Sequence, residues 1–576
     1  MTSARILVLV VVAVFATASW ALAIPLKRYQ CINSICVLEP LSFTSNGTSL
    51  AICEMTCGNG SLWPKPTQAT VSSFVRSIQV KEIPLMITFL DHTNYATKAT
   101  ECTEVSTELH LAIKATITTA DERLGLGTNE SYSLVVDVSK SPPIVITAVS
   151  IYGYRHALTT LSQLIEYDEI THTMQIVEAA TIHDKPVFPH RGLTLDTSRN
   201  YYSVASIKRI LDGMALNKLN TFHWHLTDTH SFPLEIIGEP RLTTYGAYSA
   251  RQIYSQADIR SLVRYAKLRG IRVIPELDAP AHVGAGWQWG PTADLGELVV
   301  CYDHSPWEAA CVEPPCGQLN PTNANIYPIL QTIYSEYHAL FDSDVIHMGG
   351  DEVHFGCWNM SKAVTDNMPK RDAKAFIDLW GNFQKKARGL VHDISPESKL
   401  MLWTSELTKS ANIQQYLNPS EYIIQVWDVI GSNASASLAR LGYQVVLSNY
   451  DAWYLDCGFG NWLSKGTSWC DPVKSWPTIY SVNMFAGMTP DLHQFVLGGE
   501  VALWSEMADE NSADLKLWPR TAAAAERLWS NPNSSWKDAL PRLRRQRSRL
   551  VQLGIRADAM QPQWCQDHPR RCGLLG

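Results

Sequence analysis

"VIHMGGDE" occupies residues 345–352, an apolar run followed by two glycines and two adjacent acids. A short apolar run that ends abruptly in polar residues has the form of a buried parallel strand feeding a loop. The same form recurs in seven further stretches beyond residue 190: "GLTLDTSR" (192–199), "NTFHWHLTD" (220–228), "IRVIPELDAP" (271–280), "LMLWTSE" (400–406), "YIIQVWD" (422–428), "YQVVLSNYD" (443–451) and "FVLGGEVALWSE" (495–506). Between several of them lie stretches with apolar residues at helical spacing, such as "SVASIKRILDGMALNKL" (203–219) and "SQADIRSLVRYAKLRG" (255–270). Eight strand–helix units predict an α/β chain with a (β/α)8 barrel over 185–576, whose site is built at the C-terminal ends of its strands. The residues at or just past those ends are Arg199, Asp228, Asp278, Asp351, Glu352, Trp403, Trp427, Tyr454, Trp504 and Glu506. Acids and tryptophans gather there instead of spreading evenly along the strands.

The chain outside the barrel sets the context. At 576 residues it is too long for one ordinary domain. With 46% apolar and 18% charged residues it is globular, and a net charge of −7 with scattered basic residues argues against a nucleic-acid surface. Residues 24–184 read as a small α+β domain, with alternating stretches at 77–89 and 131–150 and a helical "GYRHALTTLSQLIEY" at 153–167. Residues 1–23 combine Arg5, an apolar run and small residues at Ala21 and Ala23, the pattern of a secretory signal cleaved after Ala23; an uncleaved anchor is the alternative.

Secretion makes two other features coherent. Six Asn-x-Ser/Thr sequons occur, at Asn46, Asn59, Asn129, Asn359, Asn433 and Asn533. The 13 cysteines cluster as Cys31, Cys36, Cys53 and Cys57; Cys301, Cys311, Cys316 and Cys357; Cys457 and Cys470; Cys565 and Cys572, with Cys102 left over. In an oxidising compartment these are loop staples, and no Cys-x2-Cys pair or companion histidine spacing supports zinc.

Acids converging with aromatic residues at a barrel mouth, without a metal-binding histidine pair, point to glycoside hydrolysis. One carboxyl must protonate the leaving oxygen and another must stabilise positive charge on the sugar. Adjacent residues at a strand end project to different sides, and each disfavours ionisation of the other. Beyond the acids, "DTSRNYY", "FHWHLTDTHSFPLE", "PELDAPAHVGAGW", "HMGGDEV", "LWTSE", "WYLD" and "ALWSE" resemble the motifs of family 20 glycoside hydrolases, the β-N-acetylhexosaminidases. The resemblance runs from about residue 185 to the C-terminus and implies a preceding zincin-like α+β domain. It also implies a mechanism in which the substrate's own 2-acetamido carbonyl attacks C1. Glu352 is then the general acid, Asp351 orients the acetamido nitrogen and Tyr454 donates to the acetamido oxygen. Trp403, Trp427 and Trp504 box the acetyl methyl, Arg199, Asp456 and Glu506 hold sugar hydroxyls, and Asp228 with His282 supports Glu352.

Each assignment has a plainer alternative. His282 can be a satisfied core histidine, any of the three tryptophans can be core, and His223 and His225, on the face opposite Trp224, read as packing with no third ligand evident. Two stretches, "CVEPPCGQLNP" (311–321) and "YLDCGFGNWLSKGTSWC" (454–470), resemble the arthropod chitinolytic branch. In that branch Val312 and Glu313 match residues beside the +1 sugar, Trp469 matches a stacking residue, and Trp307 extends the platform. The stretch 288–300 departs from the branch. The expectation is thus a secreted, exo-acting enzyme on GlcNAc-terminated chitooligosaccharides. Its rivals are a glycan-trimming hexosaminidase and an inactive sugar-binding protein. No metal or organic cofactor is called for, and a homodimer is expected from the family.

Overall fold

The computed structural model describes residues 26–40, 47–58, 60–78, 85–89 and 111–574, with the backbone alone for 85–89. The signal-like segment 1–23, Cys102, Asn46 and Asn59 lie outside the described residues.

Eight parallel strands close into a barrel: β1 (His190–Asp196), β2 (Thr221–His225), β3 (Arg272–Glu276), β4 (Val345–His347), β5 (Lys399–Trp403), β6 (Tyr422–Val426), β7 (Gln444–Leu447) and β8 (Val496–Leu503). β8 closes the ring on β1, running in register from Gly498 opposite His190 to Leu503 opposite Leu195. Six of the strands fall inside their apolar runs, while β1 and β5 start two residues and one residue ahead of theirs.

The sequence of β2, "TFHWH", shows how the two faces divide. Phe222 and Trp224 join the core packed between strands and helices, with Ile207, Leu211 and Leu262. His223 and His225 take the opposite side, toward the barrel axis, as a period of two requires. There Ile274, Val345, Met401, Ile423, Val446 and Leu497 form a separate apolar cluster, with Leu126 of the N-terminal domain packed against it. The interior is otherwise polar, because His223, Glu276, His347, Gln425 and Glu500 are all fully buried. The expectation that His223 and His225 are packing residues is corrected here. They are members of an ion-paired column: His223 lies 2.9 Å from Glu500 and 3.0 Å from Glu276, and His225 lies 2.6 Å from Glu276.

The N-terminal part contains a six-stranded mixed sheet, in the order Gln68–Val71, Ala179–Asp184, Tyr132–Asp137, Ile144–Ala148, Ile113–Ile117, Leu85–Phe89. Helix Ile151–Ser162, capped by the Ser150 hydroxyl accepting from Gly153 N–H, covers one face. Charged pairs join this part to the barrel. Arg191 bonds Glu130 at 2.7 Å and Lys218 bonds Asp184 at 3.0 Å, all four side chains being buried. Buried charges persist when paired and hydrogen-bonded in this way.

The cysteines pair within the clusters seen in the sequence: Cys31–Cys57, Cys36–Cys53, Cys301–Cys357, Cys311–Cys316, Cys457–Cys470 and Cys565–Cys572. Asn129, Asn359, Asn433 and Asn533 are exposed. Among the described residues no helix is long and apolar enough to cross a membrane.

Candidate active site

β4 delivers the paired acids through a backbone that tolerates little else. Gly349 and Gly350 follow the strand with φ +61° and +77°. A Cβ on Gly349 would lie 1.9 Å from Asp278 Oδ1, so the first position admits only glycine. Gly350 N–H donates to Asp278 Oδ1 at 2.9 Å, which ties the β4 loop to the end of β3. Glu352 and His282 both hold positive φ, +49° and +54°. Non-glycine residues rarely do so, and such positions concentrate where function fixes the backbone.

His282 reaches Glu352 Oε2 with Nε2 at 3.2 Å and Asp228 Oδ2 with Nδ1 at 3.3 Å. Asp228 is fully enclosed and also meets Arg199 at 2.9 Å and His225 at 3.1 Å. Burial works against its charge, but Arg199 and His282 hold Asp228 well below the usual carboxylate range. Burial likewise opposes charge on His282, yet Asp228 and Glu352 push it well above the ordinary imidazole value. Asp351 behaves oppositely: burial raises it to about 6, with the His282 cation opposing and Glu352 adding to the rise. Beneath it, burial and then the Asp351 charge push Asp278 well above its normal range. The two carboxyls at the ends of β3 and β4 therefore favour carrying one proton between them.

Around the acids stands an aromatic wall. Trp403, at the end of β5, is fully buried and donates its indole N–H to Glu276 Oε1 at 2.7 Å. Its ring centroid is 5.7 Å from that of Trp504, and Tyr454 is 6.1 Å from Trp504. Trp427 is half-buried and fixed by its N–H to Thr404 O at 2.8 Å. Arg199 bridges Asp228 and Glu313 (2.7 Å), with its guanidinium 5.4 Å from the centre of the Trp504 ring. Asp456 accepts the Trp504 backbone N–H at 3.3 Å, and burial raises its carboxyl to about 6. Burial and the neighbouring Glu313 push Glu506 well above its usual value. Two polar atoms in this ring, Arg199 Nε and Asp351 Oδ1, are buried without a protein partner and are free to bind a ligand.

The flanking loops complete a cleft. Val312, Glu313, Cys311 and Pro315 share one recess with His282, Thr229 and Glu352. Trp469 is 66% exposed, yet Tyr450, Trp427 and Tyr454 flank it at centroid distances of 4.9, 6.1 and 6.2 Å. The Cys457–Cys470 disulfide closes the loop that carries it. Trp307 sits in the turn Trp307–Ala309, half-buried against the main core, and among the described residues its ring is not brought against Trp469. The stretch 288–300 lines a separate recess with Tyr302, Met360 and Lys362.

Sequence reasoning missed three groups that the structure places in or beneath the site. Asp278 was placed at a strand end without a role, Glu276 received none, and His225 was read as packing. A third donor for His223 does exist, since His223, Glu276 and His347 lie within 4.8 Å of one another. The His223 and His347 rings are stacked at 4.4 Å, and His347 Nδ1 already accepts Gly349 N–H at 3.0 Å.

Residues 188–532 match the family described as "Glycosyl hydrolase family 20, catalytic domain", and residues 59–164 match "beta-acetyl hexosaminidase like". This chain is a family 20 glycosyl hydrolase. The hydrolase is 42% identical to the "Chitooligosaccharidolytic beta-N-acetylglucosaminidase" of Ostrinia furnacalis, over 95% of each chain. It is equally similar, 42% over 95% of each, to the Bombyx mori protein of the same name. Among solved structures, a "GH20 Exo beta-N-Acetylglucosaminidase from Vibrio harveyi in complex with N-acetylglucosamine" superposes with a TM-score of 0.69 at 26% identity, covering 87% of this chain and 79% of that one. The family 20 enzyme thus has β-N-acetylhexosaminidase relatives throughout its length.

Proposed function

We propose that the chain is a secreted exo-β-N-acetylglucosaminidase that removes the non-reducing terminal GlcNAc of chitooligosaccharides with retention of configuration. The acetamido carbonyl of the bound sugar is the nucleophile, closing on C1 to an oxazolinium, and Glu352 protonates the departing oxygen. Asp351 takes the acetamido N–H and offsets the cation. Tyr454 donates to the acetamido oxygen while Trp403, Trp427 and Trp504 confine its methyl, which holds the attacking atom near C1. Arg199, Asp456 and Glu506 bind sugar hydroxyls, and Asp228 with His282 orients Glu352. Secretion is supported by the paired cysteines and exposed sequons, and a homodimer is the assembly we expect.

One observation carries the substrate reading: an exposed Trp469 whose ring is flanked by Tyr450, Trp427 and Tyr454. A flat indole suits the flat face of a β-1,4-linked GlcNAc in the +1 position. The names of the insect relatives point the same way. The test compares GlcNAc release from chitotriose and from a GlcNAc-terminated biantennary N-glycan at matched concentration. Much faster release from chitotriose is expected. A preference for the N-glycan would replace the substrate reading, and no release from either would overturn the enzyme reading as well.

A further inference from the structure

The column inside the barrel runs without a gap from its lower half to the acid. Arg272 Nη2 meets His190 Nδ1 (2.8 Å), His190 meets Glu500 (2.5 Å), Glu500 meets His223 (2.9 Å) and His223 meets Glu276 (3.0 Å). Glu276 then meets His225 (2.6 Å), His225 meets Asp228 (3.1 Å), and Asp228 meets His282 (3.3 Å), whose other nitrogen lies 3.2 Å from Glu352. Glu276 is the branch point. It is fully buried at the end of β3, and its two oxygens serve different parts of the site. Oε2 holds His225 and, through it, the acid's support. Oε1 accepts the indole N–H of Trp403 at 2.7 Å, and that ring is part of the wall around the acetamido group.

We propose that Glu276 is a positioning residue that ties the acetamido-facing Trp403 and the Asp228–His282 support of Glu352 to one rigid carboxylate. This rests on the proposed function, because it assigns the two arms to the two halves of that reaction, attack by the acetamido oxygen and protonation of the leaving group. The physical case is the cost of a buried carboxylate. Burial disfavours its charge, but His225, His347 and His223 hold Glu276 well below the usual range. Opposed by burial, Glu500 and Glu276 likewise push His223 up to about 9. From Glu500 to His282 carboxylates alternate with histidines, and with both oxygens bonded Glu276 has no freedom to rotate. A displacement of about 1 Å in either arm is enough to cost two orders of magnitude in rate.

The test is Glu276→Gln in the full chain, assayed on aryl β-N-acetylglucosaminides whose leaving groups range from dinitrophenol to simple phenols. Loss of the acid arm makes the rate depend more steeply on leaving-group acidity, because a poor leaving group needs its proton. Loss of the Trp403 arm lowers the rate even for dinitrophenol, which needs none. The proposal expects both from the single variant, with about a tenfold to hundredfold loss on the poorest leaving group. Trp403→Phe should lower all substrates equally, and His225→Gln should steepen the slope alone. Glu276→Gln should add no further slope to Asp228→Asn. A uniform loss with unchanged slope, accompanied by a fall in Tm, would make Glu276 merely structural and overturn the proposal. A steeper slope with full activity on the dinitrophenyl glycoside would overturn the coupling of the two arms. If Glu276→Gln does not fold, His225→Gln and Trp403→Phe decide, since identical slopes in both would contradict separate arms. An unmodified enzyme inactive on every glycoside in the series would count against the proposed function instead.

Discussion

Asp351 shows what one residue contributes. Burial lifts its carboxyl to about 6, and the account needs it ionised to face the oxazolinium. The sign follows directly. Protons bind Asp351 as pH falls through about 6, so kcat/KM should decline on that side, and Asp351→Asn should abolish this limb while lowering kcat at every pH. A pH–rate profile of the two proteins checks it. Glu352→Gln should cost about 100-fold to 10000-fold in kcat on an unactivated glycoside with KM little changed, the usual worth of a general acid. At the cleft edge, Trp469→Ala should lower kcat/KM for chitotriose about tenfold, the equivalent of ~1.4 kcal/mol of stacking. An aryl glycoside that barely uses the +1 site should lose much less.

At the scale of elements, loops hold the site's edges and strands hold its centre. Cys457 and Cys470 close the short loop that presents Trp469. Replacing both by serine should reproduce the Trp469→Ala pattern, weak chitotriose turnover with aryl glycoside activity retained, because the ring loses its fixed place beside Tyr450. Gly349→Ala is the harsher change: its Cβ would strike Asp278, and its positive φ adds strain of about 1–3 kcal/mol, so thermal unfolding should shift down and activity should collapse together. These elements were unequally legible in the sequence. The eight barrel strands announced themselves as apolar runs that end in polar residues. The inward column did not, because a histidine alternating with tryptophan on β2 has the same pattern whether it packs or pairs. Only the closing of the barrel brings Glu276 and Glu500 to His223. Cysteine clusters were visible, but the crossing of Cys301 to Cys357 over Cys311–Cys316 was not.

For the whole molecule, the N-terminal part and the barrel share buried charges and not only apolar surface. Arg191, at the start of β1, meets Glu130, which also bonds His156 at 2.8 Å. Removing one partner of such a pair leaves the other charged and dry, so Arg191→Met should cost about 3–5 kcal/mol in urea unfolding. The same change should leave KM nearly intact in the folded fraction. Leu126 packs against the apolar cluster inside the barrel, and its N–H donates to Asp344, just ahead of β4, at 2.8 Å. The N-terminal part therefore seals the end of the barrel opposite the acids, while the C-terminal strand ends remain open to substrate. That polarity was predictable from the barrel alone. The seal was not, because nothing in a single leucine of a loop marks it for the axis of another domain.

The central claim is that the substrate's acetamido oxygen attacks C1. The most direct measurement compares kcat/KM for aryl glycosides of N-acetyl-, N-fluoroacetyl-, N-difluoroacetyl- and N-trifluoroacetylglucosamine. Each fluorine withdraws electron density from the attacking oxygen and leaves the leaving group unchanged. The account predicts a steady fall, exceeding about a hundredfold across the series. A flat series would contradict it and assign the attack to a carboxylate of the protein.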